Sequence, residues 1–307
     1  MAAPTPATND SVSATKHRVP PEPLSRMPAA QPSANSLSQF LRALESAKWN
    51  KALSDIAEGW RRRELWEMMA LQDIRQRYQR SVLGPFWITL SMGVMIGMLG
   101  LLYGTIFKQD LHDYMPFLAA GFVLWGLISS LILDGTRVFT GVEGLIRQLP
   151  APLTIYVYRL LLSNVIMFAH NAPIFLLICL WYGLNPGWTA LLALPALLVL
   201  LLNGFWMALL LGLLSARFRD IPLVVASIVQ VLFFITPIMW KPDMLPGRAW
   251  MLDLNPFHHL IEILRAPLLG QVPSLENWVA VIIVTFVGWA VALCFFSAYR
   301  WRLAYWV

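Results

Sequence analysis

Six long apolar stretches constrain this chain more than anything else in it. A helix crossing the bilayer core needs about 20 mostly apolar residues. Such runs lie near 86–107, 115–133, 155–183, 188–215, 221–240 and 277–299. They are continuous rather than alternating, which favours helices over a barrel. The expected fold class is therefore an all-α integral membrane protein with six transmembrane helices. Composition agrees: 58% of residues are hydrophobic and only 13% charged, where a soluble domain carries roughly a quarter. Of the 14 tryptophans, Trp87, Trp188, Trp240, Trp278 and Trp301 fall at expected span ends, where indole favours the headgroup boundary. Trp125 and Trp206 lie deeper and could line a path.

Orientation follows from lysine and arginine, which are in excess in cytoplasmic loops. Four of the 23 basic residues (Lys108, Lys241, Arg248 and Arg265) fall on one side of the expected spans, and the other 19 on the opposite side with both termini. Both termini are thus expected in the cytoplasm. Residues 1–36, rich in Pro, Ser and Ala, read as a disordered tail without the apolar core of a signal peptide. Residues 37–85 read as a cytoplasmic interfacial segment and 86–307 as the membrane domain. Cys179 and Cys294 sit in apolar runs and read as small core hydrophobes.

Three segments outside the spans carry patterns of their own. From Trp66 to Val82, Leu71, Ile74, Tyr78 and Val82 recur at helical spacing. Asp73 and Arg77 are four apart and can pair. An amphipathic helix on the inner surface is expected there, with Arg75, Arg77 and Arg80 toward phosphates and solvent, ended by Gly84–Pro85. In the second segment, Val142, Glu143, Gly144, Leu145, Ile146, Arg147 and Leu149 form a short helix-compatible run stopped by Pro150 and Pro152. Such a helix either docks into a partner's groove or is a plain connector. The third, 241–276, is apolar but cut by prolines and charges, and predicts two short re-entrant helices near 244–252 and 257–266. Irregular backbone at that depth survives only inside protein or beside a cavity, so a vestibule is expected on the outer side.

Catalytic signatures are missing. There is no GxxxxGK[ST] phosphate loop, no HExxH and no GxSxG. His258, His259 and Glu262 could share a helical face, but adjacent histidines read more readily as surface polar groups than as metal ligands. No metal or cofactor is expected in this chain, and nothing points to nucleic acid. Within the spans, Arg159, Asn164, His170, Asn171 and Gln230 either face a polar interior or make interhelical hydrogen bonds. Gly93/Gly97 and Gly100/Gly104 form two GxxxG patterns, either a dimer seam or an intrachain contact.

Four motifs together resemble the permease subunit of type 2 ABC exporters for polysaccharides and polyol phosphates, which include the O-antigen exporters. "DIRQRYQRSVLGPFW" fits D-x-x-x-R-Y-x-x-S-x-L-G-x-x-W at Asp73, Arg77, Tyr78, Ser81, Leu83, Gly84 and Trp87. "LIRQLPAP" resembles the family's cytoplasmic L-I-[RK]…P stretch at Leu145, Ile146, Arg147 and Pro152. "RFRDIP" with Gln230 and "FFITPIMW" resembles its fifth-span signature, and "LNPFHHLIEILRAPLLG" its outer re-entrant segment, at Asn255, Pro256, Glu262, Arg265 and Gly270. Ser91, where many members have proline, Leu153, where a basic residue is common, and the long N-terminal tail depart from the pattern.

The resemblance implies a homodimer enclosing a channel, bound to two copies of a separate ABC ATPase that holds ATP and Mg. It implies export of a lipid-linked glycan from cytoplasm to periplasm, with membrane lipids around the complex. In such a machine Arg75, Arg77, Tyr78 and Arg80 would form a cytoplasmic gate and headgroup contact. Residues 142–149 would couple to the ATPase. His170, Asn171 and Gln230 would face the channel or a polar interior, and Asn255, Pro256, Phe257, Glu262 and Arg265 would form a periplasmic gate. Teichoic acid, capsule or a small hydrophobic molecule are alternative cargoes on the same plan. An intramembrane glycosyltransferase or hydrolase would need paired acidic residues near a span end, whereas Asp134 and Asp220 are single.

Overall fold

The computed structural model describes residues 34–79, 84, 86–244 and 249–307, with side chains from Lys48 onward, Ala249 excepted. Arg80, Ser81, Val82, Leu83, Pro85 and Arg248 lie outside the described residues. Two units are distinguished, Met1–Leu44 and Glu45–Val307. In the first, the helical backbone from Ala34 is described; everything below concerns the second.

Among the described residues every regular element is helical. In chain order they are α1 (Ala34–Arg61), α2 (Arg63–Tyr78), α3 (Phe86–Ile106), α4 (Leu111–Thr136), α5 (Glu143–Gln148), α6 (Thr154–Trp181), α7 (Ala193–Arg217), α8 (Ile221–Ile235), α9 (Ala249–Asp253), α10 (Pro256–Leu268), α11 (Leu275–Tyr299) and α12 (Leu303–Trp306). Five runs are long and apolar enough to cross a membrane: α3, α4, α6, Gly187–Arg217 ending in α7, and Leu275–Trp306 containing α11. The chain is a multi-pass membrane protein. In α4, 78% of the most apolar window is buried, against 11% in α3 and 22% in α11. Helix α4 is therefore the centre of the bundle, with α3, α6, α7, α8 and α10 packed around it. The apolar faces of α3 and α11 are left outward for hydrocarbon or another helix.

The fifth expected segment differs from the other five. As a helix it stops at Ile235 after 15 residues, about 22 Å at 1.5 Å per residue, short of the roughly 30 Å hydrocarbon core. The cause is local. Thr236 precedes Pro237, and a residue before proline is pushed out of the α region; Thr236 has ψ 136°. The chain then turns inward, and Ile238 is fully buried against Gly121 of α4.

Helix ends sort into two groups. At one end the start of α6 meets α1 and the end of α11 through Thr154, Asp55 and Arg300. There α5 also meets Val307 through Arg147, and the α7–α8 turn through Glu143 and Arg219. At the opposite end the start of α4 meets the end of α6 (His112 against Tyr182), and α10 meets the start of α11 (His259 to Asn277). Among the described residues only Lys108, Lys241 and Arg265 bring basic charge to the second end. The first is the basic end.

Candidate functional site

The interfacial helix expected at 66–82 is α2, ending at Tyr78. Its packed face differs from the expected stripe. Trp66, Met69 and Ala70 are buried, whereas Leu71 is 49% exposed. The reason is a charge pair that spacing did not reveal. Asp73 does not pair with Arg77; both its oxygens accept from the guanidinium of Arg159 on α6. That fork fixes the rotation of α2, and Tyr78 Oη donates to Met167 Sδ at 2.9 Å one turn further on. Arg75 and Arg77 are left exposed, as the sequence suggested.

Between α2, α4 and α6 opens a cleft of about 500 Å³ lined by Arg77, Arg137, Asp134, Tyr156, Ser163 and Asn164, with the Asp73–Arg159 pair in its wall. Arg159 is neutralised by Asp73, and Asp134 accepts from Asn164 Nδ2 at 3.2 Å. Among the described residues neither Arg77 nor Arg137 has a carboxylate partner. The Ser163 hydroxyl is buried without a hydrogen-bond partner. Chemically, the cleft is a polar recess at the basic end where Arg77 and Arg137 outnumber Asp134, the lining carboxylate that has only the Asn164 amide as partner. Arg137 was not singled out from the sequence; its place just past the end of α4 was the available signal.

Close by stands α5, preceded by a short 3-10 turn at Thr140–Val142. Leu145 and Leu149 are 38% and 46% exposed, with Ile146 half-buried. Arg147 donates from Nε to the Val307 carbonyl at 3.1 Å. Glu143 does not pair with Arg147 but approaches Arg219 at 3.8 Å. The helix thus presents leucines outward while its charges hold it to its own chain.

A frame that the sequence reading did not find supports this end. Asp55 of α1 has a side chain only 1% exposed. Its Oδ1 accepts from the Thr154 backbone N–H at 3.1 Å and lies 2.9 Å from Thr154 Oγ1, and its Oδ2 accepts from Arg300 at 2.5 Å. Arg300 also donates to the Lys51 carbonyl at 2.6 Å. Gly59 lets the helices approach this closely, since a Cβ there would stand 2.3 Å from Thr154 Oγ1. The signal was present: Ala52, Asp55, Ile56 and Gly59 share a helical face, all of them buried or half-buried.

At the opposite end α10 is the expected second short helix, and α9 covers part of the first, whose residues 245–248 lie outside the described residues. Asn255 caps α10 by accepting from the N–H groups of Phe257 and His258 at 3.0 and 3.4 Å, and ties it to α8 by donating to Thr236 at 3.0 Å. Pro256 fills the first turn, where its missing N–H costs nothing. Arg265 is 1% exposed. It donates to Glu262 at 2.5 Å and to the Pro237 carbonyl at 2.6 Å, and stacks 4.0 Å from the Phe117 ring. Burial lowers the Arg265 pKa, opposed by Glu262. Beside this pair lies a cavity of about 390 Å³ bounded by Lys241, Asp243, His112 and Gln271. The two histidines are not surface groups. His259 is buried between Asn277 Oδ1 at 2.6 Å and the Asp253 carbonyl at 3.0 Å. Burial brings His258 down to about 4, against the opposing pull of Glu262. No metal-ligating cluster is found among the described residues.

The polar residues of the spans separate. His170 bonds back to the Ile166 carbonyl at 2.7 Å, while its own carbonyl accepts from Thr89 of α3 at 2.8 Å. Asn171 has a buried Oδ1 without a partner. Gln230 is exposed on α8, not interior to this chain. Trp125 is buried against Phe233 and Phe257, and Trp206 donates to Asn203 and covers Gly288, so both tryptophans pack within the protein. Cys179 is buried but Cys294 is exposed, not a core residue. Gly100 and Gly104 admit Met115 and Leu111 of α4, so that GxxxG pair is an intrachain seam. Gly93 and Gly97 instead border an open apolar groove against Ile174 of α6.

Residues 64–269, from α2 through the end of α10, match the ABC-2 type transporter family. An O-antigen export system permease protein of Klebsiella pneumoniae is 23% identical over 78% of this chain and 94% of its own length. One from Myxococcus xanthus is 23% identical over 66% of this chain and 82% of its own. A polysialic acid transport protein of Escherichia coli is 25% identical over 65% and 79%. With the match spanning every element around the cleft, α5 and the α10 cap, the chain belongs to the ABC-2 type transporter family.

Proposed function

We propose that this chain is the channel-forming permease of an ATP-driven exporter that moves a lipid-linked polysaccharide, O-antigen-like in class, from the cytoplasm to the periplasm across the bacterial inner membrane. The observation that carries the reading is the juxtaposition at the basic end, where the α2–α4–α6 cleft with Arg77 and Arg137 stands beside a helix offering Leu145 and Leu149 outward. Relatives that export O-antigen supply the cargo class. The polysialic acid transport relatives favour polysialic acid as a second cargo class for the same machine.

In this reading two copies of the chain enclose the channel, with the exposed faces of α3 and α8, including Gln230, turned toward the partner copy. Two copies of a separate ABC ATPase bind ATP and Mg and receive α5. Both termini and 37–85 are cytoplasmic. Arg75 and Arg77, with Arg80, meet the anionic headgroup of the lipid carrier, because arginine-to-phosphate hydrogen bonds are strong and matched in geometry. His170 and Asn171 serve the polar interior. The 255–265 segment and the remainder of the six-segment plan close the outer end, with α8 and its turn standing in for a full fifth span.

The test is export in the host. Arg75→Gln/Arg77→Gln/Arg80→Gln should leave the chain in the membrane at parental level and lower surface glycan, with lipid-linked glycan accumulating on the inner leaflet. Unaltered surface glycan in the triple variant would reject the headgroup contact. Unaltered glycan after deletion of the whole chain would reject the export function.

A further inference from the structure

A second pair of arginines lies at the basic end, where α7 and α11 terminate. There a recess of about 280 Å³ has walls that include Leu214, Phe295, Tyr299 and Trp306 and carries Arg217 and Arg302. Aromatic faces hold both guanidinium groups. Arg217 Cζ stands 5.5 Å from the Phe218 ring centroid and 5.9 Å from Trp306; Arg302 Cζ stands 5.9 Å from Tyr299 and 4.7 Å from Trp301. Arg62, Arg159, Arg219, Arg265 and Arg300 each have a carboxylate within 4 Å; among the described residues Arg217 and Arg302 have none. A ring face attracts the cation through its quadrupole and leaves the N–H edge free to donate.

The two halves of the recess differ in chemistry. Its apolar wall continues along α7 and α11, both in runs long enough to cross a membrane, and Phe295 is 39% exposed. Its cationic rim lies at the helix ends, the level of phosphate headgroups. A ligand that satisfies both halves has an anionic phosphate and a hydrocarbon chain. Basic pockets between spans on the cytoplasmic side take anionic lipid headgroups. We propose that this recess binds an anionic phospholipid, with its phosphate between Arg217 and Arg302 and one acyl chain along Leu214 and Phe295. Flanking arginines alone could serve a positive-inside role, but that role needs neither the apolar wall nor the aromatic clamps.

The site is testable on the full chain without reference to its cargo. Native mass spectrometry of detergent-purified chain would compare phosphatidylglycerol with phosphatidylcholine. Phosphatidylglycerol should bind preferentially, and Arg217→Gln/Arg302→Gln should weaken it on the order of twentyfold, at roughly fivefold per arginine near the surface, leaving phosphatidylcholine unchanged. The Arg→Lys pair should fall between, keeping charge but losing the planar fork. Leu214→Trp, which fills the apolar wall and leaves both arginines in place, should also weaken binding. Arg61→Gln/Arg63→Gln, an equal loss of charge at the α1–α2 junction, should have no effect. Equal binding of the two lipids, equal loss in the Arg61/Arg63 control, or displacement of phosphatidylglycerol by millimolar inorganic phosphate would each overturn the assignment.

Discussion

Asp55→Ala is the substitution whose consequence follows most directly from the geometry. The carboxylate is 1% exposed and receives the Thr154 N–H on one oxygen and Arg300 on the other. The Thr154 hydroxyl has a single proton, shared between the Asp55 carboxylate at 2.9 Å and the Asp55 carbonyl at 2.7 Å, so it retains an acceptor when the carboxylate is removed. The Thr154 N–H does not, and a buried unsatisfied donor costs about 1–3 kcal/mol. Breaking a buried ion pair costs about 3–5 kcal/mol, but the charge left behind, Arg300, is 26% exposed and keeps the Lys51 carbonyl, so its loss is nearer the ~1 kcal/mol of an exposed pair. Together these give about 3 kcal/mol for Asp55→Ala. Asp55→Asn keeps one acceptor but turns an amide donor toward a donor, at about 2 kcal/mol. For a unit of this size each kcal/mol moves the thermal midpoint by roughly 2–4 °C, so the alanine variant should melt about 6–12 °C below the parent in detergent. Arg300→Gln should cost at least as much of the pair, because it leaves the 1% exposed Asp55 carboxylate without its counter-charge, and adding it to Asp55→Asn should cost less than the sum of the two, because they remove one interaction. A midpoint within about 1 °C of the parent for Asp55→Ala, or strict additivity in the cycle, would refute the argument.

Leu145→Asp should abolish ATPase co-purification and glycan export at equal membrane levels, because buried apolar anchors dominate such contacts; normal export would move the coupling contact to the 216–222 turn. Arg147→Ala should instead loosen α12, read as faster proteolysis after Leu303, since Arg147 holds the Val307 carbonyl. His258, held neutral by a pKa near 4 against an ordinary 6.5, contributes stability that is complete above 6.5 and lost as pH falls toward 4, because the unfolded chain takes up the proton first. The melting temperature should therefore drop across that window and drop less in His258→Gln. Gly288→Ala should be more damaging than Gly97→Ala in the same assay. A methyl at 288 would stand 2.2 Å from the Trp206 ring, while nothing lies within 4 Å at 97.

Much of the molecule is legible in its amino-acid sequence. Continuous apolar runs force helices because a bilayer offers backbone groups no partner, and the runs at 86–107, 115–133, 155–183, 188–215 and 277–299 reappear as spans within a few residues. Proline and glycine punctuation marked α5 and α10, since proline ends or starts a helix by local sterics alone. What only tertiary structure decided are the partners. Asp73 looked ready for Arg77, four residues away, but chose Arg159, 86 residues on, and so fixed which face of α2 packs. Asp55, Thr154 and Arg300 are far apart in the chain and meet only because three helix ends converge. The two GxxxG patterns share the same glycine spacing, yet one is filled by α4 and the other is open. Spacing along one helix reports which side chains share a face; it carries no information on what comes to meet that face, which depends on the packing of the whole bundle.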